Sequence, residues 1–184
     1  MQALQLTKYG SSDHVAFAEL PRPRPGPGEL LVQVHAVGLN PIDNLIPNGD
    51  FKPIIKLRLP ATLGSDLAGV VVEVGSGATR FKVGDAVYAS IFDTPHGSLA
   101  EFAVVSEQAA ALKPANLDFV QAASIPMVGL TAWQAMRERM QLQPGQKVFI
   151  PAGADGIGTF KSRAHRQAWQ PYRLSAVYEY TNNI

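Results

Sequence analysis

Apolar and polar positions alternate in short runs along the first part of the chain. Seven runs with strand-like alternation or β-branched residues are separated by turns rich in Gly, Pro, Asn and Asp. These runs predict strands at residues 2–7, 15–20, 30–37, 67–74, 86–91, 99–105 and 108–112. Short strands with turns at close intervals favour a small β-barrel or sandwich.

The apolar period changes after residue 112. Residues 117–123 and 129–140 have the spacing of helices, and the Gln-Pro-Gly sequence at 143–145 predicts the end of the second helix. Upstream, Asn40 followed by Pro41 predicts the cap and first turn of a short helix. The pattern therefore indicates a passage from a β domain into an α/β arrangement.

One segment, KVFIPAGADGIGTF at residues 147–160, joins an apolar run to a glycine turn and the start of a helix. The run at 148–150 predicts a short buried strand, and this order is typical of the opening of a nucleotide-binding βαβ unit. Glycines let the backbone approach a pyrophosphate, and the helix N-terminus offers N–H groups to it. The alternative is an ordinary strand-to-helix turn. Two features of the segment favour that alternative. The glycine spacing is G-x-x-G-x-G rather than G-x-G-x-x-G, and Asp155 would repel a phosphate unless its carboxylate points away.

Composition limits the classes of function. The 184 residues are 46% hydrophobic and 17% charged, which suits one globular domain, or one domain with a fragment of another. A net charge of +1 gives no general case for nucleic acid or an anionic membrane as a partner. The absence of cysteine excludes disulfides, thiolate zinc sites and a cysteine nucleophile. Without a membrane-length apolar run or a signal-peptide layout at MQALQLTKYG, we expect a soluble cytoplasmic protein.

The last 24 residues differ in composition from everything before them. They hold four Lys and Arg residues against one acid, with four aromatic residues among them. No recognisable second strand ends in an acid about 20 residues after the glycine turn, where a ribose contact would be expected. Basic and aromatic residues together can bind nucleic acid, but no matching fold signature accompanies them. We therefore predict a poorly ordered tail.

Five phrases, in chain order, resemble the medium-chain dehydrogenase/reductase superfamily, and in particular its zinc-free quinone oxidoreductase (zeta-crystallin-like) branch. The resemblance covers residues 1–160, and the phrases read LVQVHAVGLNPIDNLIPNG, LGSDLAGVVVEVGSGATRFKVGDAVYA, GSLAEFAVV, AASIPMVGLTAWQAM and KVFIPAGADGIG. The resemblance implies a mainly β fold with α. Its parts would be a GroES-like β-barrel catalytic domain at 1–124, a connecting helix and turn at 125–146, the start of an NAD(P)-binding Rossmann domain at 147–160, and a divergent tail at 161–184.

The resemblance also implies a chemistry. Hydride would pass from NADPH to a quinone or an α,β-unsaturated carbonyl compound, which would be the small-molecule substrate. Zinc-dependent relatives place a metal-ligand Cys at the position of Asn40, and a His-Glu pair at the positions of Ser65 and Asp66. No metal is therefore implied for this chain.

Each implied site residue has a structural alternative. Asn40 and Asp66 are the implied catalytic residues; Asn40 would otherwise be a helix N-cap, and Asp66 a turn-capping or ion-pairing carboxylate. Asp43 could relay a proton, although an acid in a first helical turn more often complements the helix dipole. Thr131 would otherwise bond back to the helix backbone. The implied cofactor-binding residues are Asn40, Thr131, Gly153, Gly156, Ile157 and Gly158.

The chain from Lys147 to its last residue is too short for a complete cofactor domain. A doubly wound domain needs on the order of 100 residues, whereas 38 residues run from Lys147 to the end. We therefore predict a shortened family member with little or no hydride transfer alone, in which residues 148–150 pack on the barrel domain or on the helix at 129–140. The alternatives are a non-catalytic GroES-like interaction or dimerisation module, and a homodimer that completes the cofactor site between two copies.

Overall fold

The structure is a computed structural model that describes residues 1–55, 57–92, 94, 96–143, 146, 148–150 and 152–161. The chain divides into two compact units, Met1–Met127 and Val128–Ile184, and each is described by itself. The tail predicted at 161–184 lies outside the described residues from 162 onwards. The domain boundaries at 124, 146 and 160 stay predictions.

The described residues of the first unit form eight strands. They are β1 (Gln2–Leu6), β2 (Val15–Glu19), β3 (Glu29–Gly38), β4 (Ala61–Thr62), β5 (Asp66–Val74), β6 (Ala86–Ser90), β7 (Phe102–Ser106) and β8 (Ala110–Leu112). All paired strands are antiparallel, in a three-stranded sheet of order β2-β1-β4 and a five-stranded sheet of order β7-β3-β5-β6-β8. The seven predicted strands are confirmed, with ends displaced by up to three residues. β4 was not predicted, because two residues are too short to show a period.

The five-stranded sheet buries one face in the main core. That core consists of Leu30, Val32, Leu67, Val71, Phe81, Val87, Ala89, Ile91, Ala103, Val105 and Ala110. On another part of the sheet, helix α2 (Phe119–Ala123) packs its buried Ala122 and Ala123 against Ala68 of β5. A side chain at Gly38 would place its Cβ only 2.2 Å from the carbonyl oxygen of Ala123, so glycine is required where β3 ends beneath α2.

The helix predicted after Asn40 is confirmed as α1 (Pro41–Asn48). Pro41 stands in the first turn, where a missing N–H costs nothing. Gly49 ends the helix in the left-handed conformation, at φ 93°. Two residues therefore separate the end of β3 from the start of α1.

In the second unit, the described residues form helical turns and a small core. Helix α3 spans Pro126–Trp133, so that its first two residues belong to the first unit and the others to the second, and it is followed by a π-helical segment at Gln134–Arg139. Residues 148–150 form no strand, which corrects that prediction, because no strand is described beside them. Val148 and Ile150 are instead buried with Met136 and Leu142, while Phe149 is 64% exposed. Packing on the helix predicted at 129–140 is thereby confirmed. Residues 156–161 form a further helical turn.

Candidate functional site

The pairing of β3 with β5 brings the two implied catalytic residues together. Gly38, at the end of β3, lies opposite Asp66, at the start of β5. The chain then turns into α1, and Asn40 occupies its N-cap position with an extended backbone. The Asn40 side-chain nitrogen Nδ2 donates to Asp66 Oδ2 at 3.1 Å. Asn40 thus holds the N-cap position and also makes a polar contact across the sheet end.

Asp66 is almost completely enclosed, with 1% of its surface exposed. Its Oδ2 also accepts a hydrogen bond from the backbone N–H of Met127 at 2.9 Å. Its other oxygen, Oδ1, is buried and has no hydrogen-bond partner among the described residues. Asp66 therefore accepts hydrogen bonds from a backbone N–H and a side-chain amide, in keeping with the alternative of a capping carboxylate. Its second oxygen is buried without a described hydrogen bond.

Burial raises the pKa of the Asp66 carboxyl above its ordinary value of 3.8. The hydrogen bonds from Met127 and Asn40, together with the Ser90 hydroxyl opposite Asp66 in the strand pairing, favour the charged form and oppose this shift. The negative charge of Asp43 adds to the effect of burial.

Asp43 fixes the start of α1. Its Oδ2 accepts the backbone N–H of Asn40 at 2.7 Å, and its Oδ1 accepts the hydroxyl of Ser65 at 2.9 Å. Both contacts stabilise the first turn of the helix and tie it to the residue before β5. The structure therefore shows the helix-end role that was favoured for Asp43.

Two hollows among the described residues of the first unit are either small or away from Asn40 and Asp66. One hollow of about 30 Å³ has Asp43, Ser65 and His96 among its lining residues, and has room only for a water-sized group. A larger hollow of about 210 Å³ lies between the N-terminal strand and β7, with Met1, Pro21 and Phe102 in its lining. Neither hollow is a ring-sized pocket at the Asn40 carboxamide.

In the second unit, the glycine turn is capped by its own aspartate. The Asp155 carboxylate accepts the backbone N–H of Gly158 at 2.5 Å, and the Thr159 N–H donates to the Asp155 carbonyl at 2.8 Å. A Cβ at Gly158 would lie 2.2 Å from the Ala152 carbonyl oxygen, so this position requires glycine. The N–H of Gly158, one of those that a phosphate would use, is therefore occupied by a carboxylate of the same turn.

The remaining implied cofactor residues show less specific features. Thr131 is exposed on α3. No hydrogen bond from its hydroxyl to the helix backbone, the structural alternative for this residue, is described. Ile157 is half-buried, and Gly153 and Gly156 belong to the capped turn. Thr131 and these turn residues all lie in the second unit, and Asn40 and Asp66 in the first.

Sequence reasoning missed three partners of the site. Ser65, Ser90 and the backbone N–H of Met127 contact or influence the two carboxylates. The strand pairing places Ser90 opposite Asp66, but a register cannot be read from alternation alone. Met127 contributes only its backbone, which leaves no side-chain signal in the sequence.

The described part of the chain lacks two features, a metal-binding cluster of side chains and a membrane-spanning helix. No group of three or more His, Asp or Glu side chains is placed there to hold a metal ion. No helix there has both the length and the apolar character needed to cross a membrane.

Comparison with known proteins identifies the family. Residues 26–115 match the Alcohol dehydrogenase GroES-like domain. The Chloroplast envelope quinone oxidoreductase homolog of Arabidopsis thaliana is 36% identical over 169 residues, which cover 87% of this chain and 50% of the relative. The chain belongs to the quinone oxidoreductase-like medium-chain dehydrogenases/reductases. The predicted family and GroES-like fold class are thereby confirmed.

Solved structures of this superfamily agree. An alcohol dehydrogenase superfamily protein from Novosphingobium aromaticivorans is 40% identical with a TM-score of 0.81, over 88% of this chain and 48% of that one. Mycobacterial Rv1454c complexed with NADPH is 31% identical with a TM-score of 0.79, over 90% of this chain and 49% of that one. The chain spans about half the length of the curated relatives it matches. Because one relative is named for the chloroplast envelope, a cytoplasmic location stays a prediction.

Proposed function

We propose that this chain provides the carbonyl-binding side of an NADPH-dependent quinone or enone reductase. The observation that carries the proposal is the Asn40 carboxamide, whose Nδ2 is held by Asp66 at 3.1 Å. Nδ2 has two hydrogens, and the second has no partner among the described residues. A neutral amide N–H can donate to a carbonyl oxygen and polarise it without itself ionising. The family to which the chain belongs supports the same chemistry.

The proposed reaction uses no metal, because the residue types at the positions of zinc ligands do not suit zinc. Asn40, Ser65 and Asp66 occupy the positions at which zinc-dependent relatives are expected to carry ligands, and the chain has no cysteine to bind zinc as a thiolate. Polarisation of the acceptor is therefore assigned to the Asn40 amide.

The glycine turn, as described, does not fit the pyrophosphate of NADPH. A phosphate at a helix start needs free N–H groups and no competing negative charge. Asp155 instead places its carboxylate on the Gly158 N–H. We propose NADPH as the family's cofactor, supported by the NADPH complex of the mycobacterial relative. For the chain alone, we propose little or no hydride transfer.

NADPH titration tests this function. The fluorescence of NADPH should change little up to millimolar cofactor in the presence of the chain, and duroquinone should not be reduced at a measurable rate. Saturable binding together with quinone-dependent NADPH oxidation would show that the chain is a complete reductase. Binding of 2-cyclohexenone, followed by the NMR signals of the Asn40 side chain, tests the carbonyl-binding part separately. Unchanged Asn40 signals at saturating enone would contradict it.

A second candidate function is that of an interaction or dimerisation module. The observation in its favour is a set of exposed apolar side chains on the second unit, Leu130, Trp133 and Met140, each at least half exposed. Light scattering after size exclusion tests it, because a monomer at every concentration would count against self-association.

A further inference from the structure

The hydrogen bonds of the Asp66 carboxylate offset only part of the cost of its burial. A carboxylate that served folding alone would be expected to have both oxygens hydrogen-bonded. Oδ2 receives two donors, whereas Oδ1 is enclosed and receives none among the described residues. Burying a carboxylate costs free energy unless its oxygens are hydrogen-bonded. An uncharged side chain at this position would avoid much of that cost. The arrangement therefore points to a role that needs a charged acceptor.

That role follows from the shape of the Asn40 side chain. The oxygen and nitrogen of a carboxamide are nearly the same size, so a half-turn exchanges a donor for an acceptor with little change in packing. An ionised carboxylate accepts hydrogen bonds and cannot donate them. Asp66 therefore selects the orientation in which Nδ2 of Asn40 faces inwards. Asp43 holds the Asn40 backbone N–H at 2.7 Å, so the whole residue is fixed at the start of α1.

We propose that Asp66 is a positioning residue, which holds the Asn40 carboxamide in the one orientation that lets its second Nδ2–H donate to the carbonyl oxygen of an enone or quinone. This inference rests on the function proposed for Asn40 and deepens it. Asp66 does not touch the substrate; it acts through Asn40. Its place in the site thus changes from the catalytic residue expected from the sequence to a support for the residue that binds the carbonyl.

Protonation of Asp66 should release Asn40. A protonated carboxyl can donate to the carboxamide oxygen, so both orientations of Asn40 become compatible with it. The groups that face Asp66 from neighbouring elements are the Asp43 carboxylate of α1, the Ser90 hydroxyl of β6, the Asn40 amide and the Met127 N–H. Asp43 is the charged group among them, and its charge opposes ionisation of Asp66.

NMR of the isotope-labelled chain tests the coupling without any need for activity. The Asn40 side-chain amide signals, assigned with Asn40→Ser, should follow the same titration midpoint as the carboxyl carbon of Asp66 as pH is lowered. D66N should abolish this titration and release the Asn40 amide at every pH, because its carboxamide, like a protonated carboxyl, can donate as well as accept. D66A should make the two signals move towards those of a free asparagine amide. Release in D66N, whose side chain is nearly the same size as that of Asp66, separates the role of a charged acceptor from simple space filling.

Asp43→Asn is the matched control, because Asp43 holds the backbone of Asn40 and not its carboxamide. In this variant the coupled titration should persist with a lower midpoint, since one negative charge near Asp66 is gone. The proposal is wrong if the Asn40 signals of the wild type do not follow Asp66, or if they are unchanged in a folded D66A. Should D66A fail to fold, the wild-type titration decides alone.

The same labelled chain separates this proposal from the proposed function. Added 2-cyclohexenone should shift the Asn40 Nδ2 signal in the wild type, with the shift weakened in D66N and lost in D66A. The chain has no cysteine, so the enone has no thiol to modify. If the wild type shows coupled titration but no enone shift, Asp66 orients Asn40 and the carbonyl-binding function is wrong.

Discussion

Among the aspartates that accept backbone N–H groups at helix ends, three belong to the candidate sites. Asp43 accepts that of Asn40, Asp66 that of Met127, and Asp155 that of Gly158. Each contact places a carboxylate oxygen at a helix N-terminus, where backbone N–H groups have no partner within the helix. Asp66 is the buried member of the three, and its pKa is raised by that burial. The same contact type therefore supports folding at two positions and carries a cost at the third.

Asp66→Asn is expected to remove a pH dependence of stability. Because burial raises the folded-state pKa of Asp66, the stability that its protonated form contributes is present below the ordinary value of 3.8 and is lost as pH rises through the raised pKa. At neutral pH, urea unfolding should show D66N to be at least as stable as the wild type, with a difference that shrinks towards pH 3.8. A loss of about 3 kcal/mol at neutral pH, as for a broken buried charge pair, would contradict this prediction.

Substitutions of Asp155 should separate helix capping from charge. Asn caps a helix about as well as Asp, whereas Ala costs about 1 kcal/mol. If the carboxylate on Gly158 is what excludes a phosphate, D155N should bind NADPH more tightly than the wild type with no loss of helix stability. D155A should lose the cap as well. Fluorescence titration measures the affinities, and equal affinities in all three proteins would show that the charge at Asp155 is irrelevant to the cofactor.

At the scale of elements, the site of the first unit depends on where strands end. β3 and β5 pair so that Gly38 meets Asp66, and the N-cap residue of α1, Asn40, follows Gly38 by two positions. α2 rests on the end of β3 because Gly38 offers no side chain to the Ala123 carbonyl. In the second unit, the residues at 148–150 are held by packing on Met136 and Leu142 without a sheet. The first arrangement positions a polar pair rigidly, and the second leaves the glycine turn without a neighbouring strand in the described residues.

The glycine turn gives a matched pair of substitutions. In Gly158→Ala the new Cβ would lie 2.2 Å from the Ala152 carbonyl oxygen, whereas in Gly153→Ala the nearest atom is 3.6 Å away. We expect Gly158→Ala to destabilise the turn by about 1–3 kcal/mol, the usual cost of overpacking. Hydrogen exchange at the Thr159 N–H, which donates to Asp155, should become faster in Gly158→Ala and change little in Gly153→Ala. Equal exchange in both variants would mean that the turn is not packed as described.

At the scale of the whole molecule, the chain combines a GroES-like domain with a second unit that carries exposed apolar side chains. Leu130 and Trp133 lie on α3, and the Arg137 guanidinium lies 5.5 Å from the centre of the Trp133 ring. Large exposed apolar side chains in one region are typical of surfaces that contact other protein. They are the observation that keeps self-association as an alternative to catalysis.

Self-association should depend on this region if the alternative is right. Light scattering should then show a dimer for the wild type at high concentration and a monomer for the double variant Leu130→Gln/Trp133→Gln. Phe17→Gln is the control, because Phe17 is an equally bulky side chain, 79% exposed, on an edge strand of the first unit. A wild type that stays monomeric, or a dimer that survives the double variant, would remove the alternative as stated.

Local patterns determined much of this protein in advance. Alternation predicted seven strands, and Asn40-Pro41 predicted the start of α1, because periodicity and capping depend on residues close in the chain. The five phrases predicted the family. β4 escaped prediction because two residues carry no period, and the strand at 148–150 failed because an extended segment becomes a strand only beside a partner.

Only the tertiary structure decided how the polar residues are used. The contact between Asn40 and Asp66 joins positions 26 residues apart, through a β3–β5 pairing whose register shifts near Val32 and Ala36. Alternation shows which face a residue takes, but not which residue lies opposite it once bulges intervene. The sequence placed Asp155 in the glycine turn, and the fold decided that its carboxylate meets the Gly158 N–H. Direction and register arise from packing among distant segments, whereas residue type and period are properties of the chain alone.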